Sequence, residues 1–168
     1  MSGPLYRHVL GVDLSSTRTG ICASGEVHSF TPTGSSLLDR AQQTSHEVAG
    51  WAMSADLIVI EAIGTRQVQT AIALAYVHAL VEDRCAGENI VKVAPADLKK
   101  FAVGKGNADK DSVMLAAARH EPAIGNNDEA DAWWLWVIGE WLAGRPFIET
   151  DYRRKVIDKI RAKEASRE

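Results

Sequence analysis

The spacing of apolar residues changes period several times along the chain, and each change marks a predicted element. HVLGVDLSS (8–16) is a short β-prone run, and TRTGICASG (17–25) and EVHSFTP (26–32) read as two more strands joined by a Ser-Gly turn. Together they predict an antiparallel meander. From Ser35 to Ala55 the apolar positions Leu37, Leu38, Ala41, Val48, Trp51 and Ala52 fall at helical spacing, behind serines able to cap the helix. DLIVIEA (56–62) is a continuous apolar run too short for a helix and fits a strand buried on both faces. A long helix follows within 65–87, stopped by Gly87, and then a strand, NIVKVAPAD (89–97), closed by Pro95. Residues 107–120 and 127–144 read as two more helices, and 152–168 as a charged terminal helix or tail. The order βββαβαβαα predicts an α/β protein with a mixed five-stranded sheet and helices packed on its faces.

Composition adds limits. The 168 residues, 46% of them apolar, suffice for one domain that buries its core without disulfides or structural metal. Cys22 and Cys85 lie far apart with no metal-ligand spacing, which predicts reduced thiols in a cytoplasmic protein. The opening residues lack the apolar core of a signal peptide and no stretch approaches the roughly 18 apolar residues of a membrane span, so no membrane partner is expected. The net charge of −3 is unevenly spread. Residues 151–168 carry seven Lys or Arg against four Asp or Glu, a net +3 that leaves −6 on residues 1–150. The expected division is therefore a domain over 1–150 and a basic helix or tail over 151–168. Acidity overall does not exclude a polyanionic partner, because clustered carboxylates around cations can coexist with local phosphate contacts.

The acidic residues stand at informative places. Asp13 lies in the first strand, Glu61 ends the apolar run of the fourth, and Asp128 and Asp131 are three apart at the start of a helix, hence on one face. Acids at a helix N-terminus are ordinarily explained by the helix dipole, which would suffice for Asp128 and Glu129 taken alone. Carboxylates embedded in buried strands are costly unless matched by a cation. If the first and fourth strands are neighbours at the sheet centre, Asp13 and Glu61 converge.

Four stretches in this order, GVDLSSTRTG, LIVIEA, VAPADLKKFAVGKGNADKDSV and NNDEADAWWLW, resemble the RuvC family of Holliday-junction resolvases, within the ribonuclease H-like superfamily. The resemblance runs from about His8 to about Leu142. Its most specific parts are VGKGNADK, matching Gly-x-Gly-x-Ala-x-Lys, and DEADA, matching Asp-x-x-Asp-Ala. It implies a ribonuclease H-like fold over 1–150, and it makes Asp13, Glu61, Asp128 and Asp131 the catalytic carboxylates and metal ligands. Two Mg²⁺ about 4 Å apart, with Mn²⁺ able to substitute, would serve phosphodiester hydrolysis, and such hard cations take oxygen ligands. On this reading Asp13 bridges both ions, Glu61 holds the ion near the leaving group, Asp128 and Asp131 hold the ion that activates water, and the products carry 5′-phosphate and 3′-hydroxyl ends.

The resemblance also implies DNA-backbone contacts from Lys99, Lys100, Lys105 and Lys110, beside Gly104 and Gly106, with Arg18 and Arg66 as further candidates. The expected partners are branched DNA (four-way junctions, flaps and Y-forms) and a second copy of the chain. The helix over 66–84 is apolar around most of its circumference between Ala71 and Val81, more than one sheet face can cover. One departure concerns Ile63 and Gly64, which follow Glu61 where the family often presents an aromatic wedge. Most of the tryptophans at 133, 134, 136 and 141 are expected in the core, and no histidine is assigned a role. The tail over 151–168 either docks through Val156 and Ile160 or lies along DNA, contributing phosphate contacts through its basic residues. Actin-like ATPases and sugar kinases share an aspartate-led phosphate loop but need two such domains. A non-catalytic DNA-binding relative would have lost a carboxylate, and all four are present. A looser branched-DNA or flap endonuclease of phage type stays open as the alternative.

Overall fold

The computed structural model of the protein describes residues 6–64 and 68–166. Five strands, β1 (Val9–Asp13), β2 (Thr19–Ala23), β3 (Glu26–Phe30), β4 (Leu57–Glu61) and β5 (Asn89–Val93), form one sheet in the order β3-β2-β1-β4-β5. The first three make the expected antiparallel meander, turned at Ser24-Gly25 with positive φ at both residues. β4 then joins β1 in parallel, with Val12 beside Ile60, and β5 joins β4 in parallel. This pairing sets the ends of β1 and β4 side by side.

Alternation along the strands divides the core in two. Leu10, Val12, Ile58 and Ile60 face α1 (Leu37–Ala52) and α2 (Val68–Arg84). Val9, Leu57 and Val59 face the opposite layer, built from α3 (Pro95–Val103), α4 (Lys110–Ala118), α5 (Asn127–Leu142) and α6 (Asp151–Ala165). Ser36 caps α1 as expected, its hydroxyl accepting the Asp39 N–H while the Asp39 carboxylate takes the Ser36 N–H.

Helix α5 dominates the second layer. A Cβ on Gly11 of β1 would collide with the carbonyl oxygen of Ala132 and the backbone nitrogen of Trp136, and one on Gly20 of β2 would collide with the carbonyl of Asp128. Backbone thus meets backbone across the sheet face. Trp133, Trp134 and Trp141 are buried, with the Trp134 indole N–H donating to the Val113 carbonyl and that of Trp141 to the Phe147 carbonyl. The expectation of a core role holds for these three, while half-buried Trp136 packs against Gly25 and Phe147. Cys22 and Cys85 are buried and unpaired. Among the described residues no helix is long and apolar enough to cross a membrane.

One element differs from the sequence reading. The fifth strand ends at Val93, and Pro95, read as its stop, occupies the first turn of α3. Proline suits that position because its missing N–H would have no helical partner there. Gly104, left-handed at φ 84°, closes the helix by donating its N–H to the Lys100 carbonyl.

The C-terminal segment is a helix docked on this layer. Val156, Ile157 and Ile160 are buried, and so is Arg153. Its guanidinium donates to the carbonyls of Phe101 (2.9 Å), Ala102 (3.0 Å) and Ile148 (2.7 Å) and lies 4.9 Å from the centre of the Trp134 ring. Arg153 thereby satisfies the last carbonyls of α3 and places a cation at the negative end of its dipole. Lys159 pairs with Asp97, Arg154 with Glu149, and Arg161 donates to the Trp141 carbonyl. Arg153→Met is expected to strand two buried carbonyls and a half-buried one and cost roughly 3 kcal/mol or more, a fall in Tm of about 6–12 °C at this chain length. Calorimetry checks this, and an unchanged Tm would mean that α6 is not part of the cooperative unit.

Candidate active site

Asp13 and Glu61 close β1 and β4, each one residue past the parallel pair Val12–Ile60. Alternation turns both toward α5, on the same side as Val9, Leu57 and Val59. The close seat of α5 on Gly11 brings Asp131, one residue before Ala132, to the same place. Asp13, Glu61 and Asp131 line one cleft of about 140 Å³, together with Lys99, Lys110, Thr70, His78 and Ile63. That volume is below the roughly 300 Å³ at which small-molecule sites begin, so it suits a single phosphate or hydrated cations rather than a whole nucleotide.

The electrostatics are those of crowded like charges. Asp13 is held well above the ordinary aspartate range, first by burial, then by Asp131, Glu61 and Asp128, with Lys110 opposing them. Lys110 is the first residue of α4, behind the cap Asp109, whose carboxylate accepts the Ser112 N–H at 2.7 Å. A cation at a helix N-terminus works against the helix dipole. The Gly-x-Gly-x-Ala-x-Lys stretch thus spends a locally unfavourable position on putting an ammonium at the cleft.

The sequence-derived residues separate into groups. The cleft gathers Asp13, Glu61, Asp131, Lys99 and Lys110. Asp128, in the first turn of α5, lies just outside it and accepts a charge-assisted hydrogen bond from Arg18 Nε. Lys100 and Lys105 are exposed and line no part of the cleft, and Lys105 borders a separate hollow with Asn107, Asp109 and Ser112. Arg66 lies outside the described residues. His78 joins the cleft without having been singled out. It is buried on α2 near Glu82, and burial lowers its pKa. A lone histidine among apolar helix residues carries no linear signal of this.

The donor set is all oxygen, the kind hard divalent cations select. Among the described residues no three Asp, Glu, His or Cys side chains stand close enough to grip a cation as they are. Asp128, for its part, is paired with Arg18. By donor chemistry Asp13, Glu61 and Asp131, which line the cleft together, suit such an ion.

No protein-family model and no curated protein matches the chain in sequence. Among solved structures it resembles Thermus thermophilus RuvC in complex with a Holliday junction substrate, with TM-score 0.63 and 19% identity over 77% of this chain and 90% of that one. It also resembles Thermus thermophilus RuvC in another structure, with TM-score 0.62 and 18% identity over 82% and 97% of the respective chains. The likeness is one of fold: the chain has the ribonuclease H-like RuvC architecture expected from its sequence.

Asp13→Asn retains the shape of the side chain and removes the crowded charge. In EDTA at neutral pH this variant is expected to melt above wild type, each kcal/mol regained being about 2–4 °C. The folded protein holds the Asp13 proton more tightly than the unfolded chain. The wild type therefore loses stability as pH rises from the ordinary aspartate range through the raised value, and the difference between the two proteins vanishes in acid. Melting curves across pH check this, and a variant melting below wild type at neutral pH would contradict the crowding.

Proposed function

We propose that this chain is a divalent-metal-dependent endonuclease that resolves Holliday junctions or other branched DNA. The observation that carries the reading is the convergence of Asp13, Glu61 and Asp131 beside Lys99 and Lys110, on a RuvC fold. Asp13, Glu61 and Asp131, with Asp128 when it leaves Arg18, would hold Mg²⁺ or Mn²⁺. When bound, two such ions supply water activation and charge neutralisation for phosphodiester hydrolysis.

The chain's own residues do the rest. Lys110 and Lys99 place ammonium groups where a phosphate enters the cleft, orienting the scissile group and offsetting its charge. Lys100 and Lys105, exposed beyond it, and Arg18 and Arg66 extend contact along the backbone without reading sequence. Hydrolysis leaves 5′-phosphate and 3′-hydroxyl ends. Ile63, 40% exposed at the rim, is the side chain that meets the opened strands. An aliphatic group stacks on bases less well than an aromatic one, which favours, as the second reading, a looser nuclease that also accepts flaps and Y-forms.

Cutting two strands calls for two sites. Val68, Ile72 and Tyr76, at 74%, 49% and 49% exposure, form an apolar stripe at i, i+4, i+8 along α2, and this supports a twofold dimer through that helix. Ile72→Glu is expected to convert the dimer to monomers in light scattering. A wild type that stays monomeric at micromolar concentration would sink the dimer.

The activity is tested by incubating the protein with labelled four-way, flap, Y-shaped and linear DNAs in Mg²⁺ or Mn²⁺. Branched substrates are expected to be cut, the linear duplex spared, and Asp13→Asn, Glu61→Gln and Asp131→Asn each to lose more than about 100-fold in rate. Failure of the wild type to cut any of them in either metal, or undiminished cutting by Asp13→Asn, would overturn the reading.

A further inference from the structure

Asp128 is paired with a basic side chain outside the cleft, that of Arg18. The pair stands between two fixed elements. Arg18 ends the turn between β1 and β2, and its neighbour Thr19 is fully buried, its hydroxyl accepting the Ser15 N–H and donating to the Ser15 carbonyl, both at 3.1 Å. Gly20, next along, lies directly against the Asp128 carbonyl. Their backbones are thus held in contact, while the side chains remain open to solvent, Arg18 at 45% and Asp128 at 20% exposure. The charge of Asp128 still reaches Asp13.

We propose that Arg18 is a positioning residue that withholds Asp128 from the metal centre until a DNA phosphate takes the guanidinium, so that cation loading is coupled to DNA binding. This rests on the carboxylate centre proposed above. A guanidinium binds phosphate with the same fork geometry that it offers a carboxylate. An exposed ion pair is weak and readily exchanged. In the exchange Arg18 trades one anion for another, and Asp128 trades the guanidinium for a divalent ion beside Asp131. Linkage makes the coupling reciprocal: DNA raises cation affinity by the same factor by which the cation raises DNA affinity. Away from DNA the centre keeps one fewer ligand.

Mn²⁺ binding, followed through the electron paramagnetic resonance signal of the free ion, tests this without relying on cleavage. Without DNA, Arg18→Gln is expected to bind Mn²⁺ roughly tenfold more tightly than wild type at its weaker site, within the usual range of such couplings. Arg18→Lys, which keeps a cation beside Asp128, is expected to stay near wild type. Measured against the junction alone, adding a four-way junction tightens Mn²⁺ binding by wild type more than by Arg18→Gln, which keeps only the part contributed by the phosphate at the cations; the cleaved products present the same phosphates, so turnover does not obscure the readout. In an Asp128→Asn background the Arg18→Gln effect disappears. An Arg18→Gln isotherm identical to wild type, or a tightening that persists in Asp128→Asn, overturns the gate. If Asp13→Asn abolishes Mn²⁺ binding while Arg18→Gln matches wild type, the gate alone falls; if Asp13→Asn binds Mn²⁺ as wild type does, the carboxylate centre falls with it.

Discussion

Helix α5 sits on β1 and β2 at backbone distance, because Gly11 and Gly20 carry no side chains to hold it off. Any Cβ at these two positions would push the helix outward by the thickness of a methyl group and carry Asp128 and Asp131 away from Asp13. The same contact makes Ala130, Ala132, Leu135 and Ile138 part of the core. Packing and site geometry are therefore one constraint, since the residues that bury α5 also aim its acidic turn.

Around that contact several local rules of stability are broken. Asp13 is a half-buried carboxylate pressed by others, and Lys110 stands at the wrong end of a helix dipole. Elsewhere most are kept: Ser36, Asn126 and Thr150 cap their helices and Arg153 closes α3, with Ile148 at φ 58° and the buried Thr44 hydroxyl as exceptions. Such a concentration of unfavourable choices is what a functional site leaves in an otherwise consistent sequence. Within the cleft the two kinds of charge partly offset each other, since Lys110 opposes the crowding at Asp13.

Much of this is legible in the sequence because the decisive signals are short-range. A carboxylate ending an apolar strand marks Asp13 and Glu61, and the Asp-x-x-Asp spacing puts Asp128 and Asp131 on one helix face. The convergence follows from the β1–β4 pairing, which the element order suggests. Helix α3 is obscured because Pro95 serves both as a strand stop and as a helix start, although Gly104 nine residues on is the matching stop. The Arg18–Asp128 pair, the His78 lining and the burial of Arg153 depend on contacts between segments far apart in sequence, and no local pattern encodes them. The basic C-terminal helix looks solvated by composition, yet one of its arginines, Arg153, is buried against the ring of Trp134.

The chain order of the cleft has a consequence for biosynthesis. Asp13, Glu61 and Asp131 come from β1, β4 and α5, and no single local fragment carries more than one of them. β1 can pair with β4 only after α1 has been made between them, and Asp131 arrives only when α5 covers the sheet. Contacts of such sequence separation form late in folding. A chain still emerging from the ribosome, or one whose α5 has locally detached, holds the acidic residues apart. The cleft therefore comes into being only with the complete core.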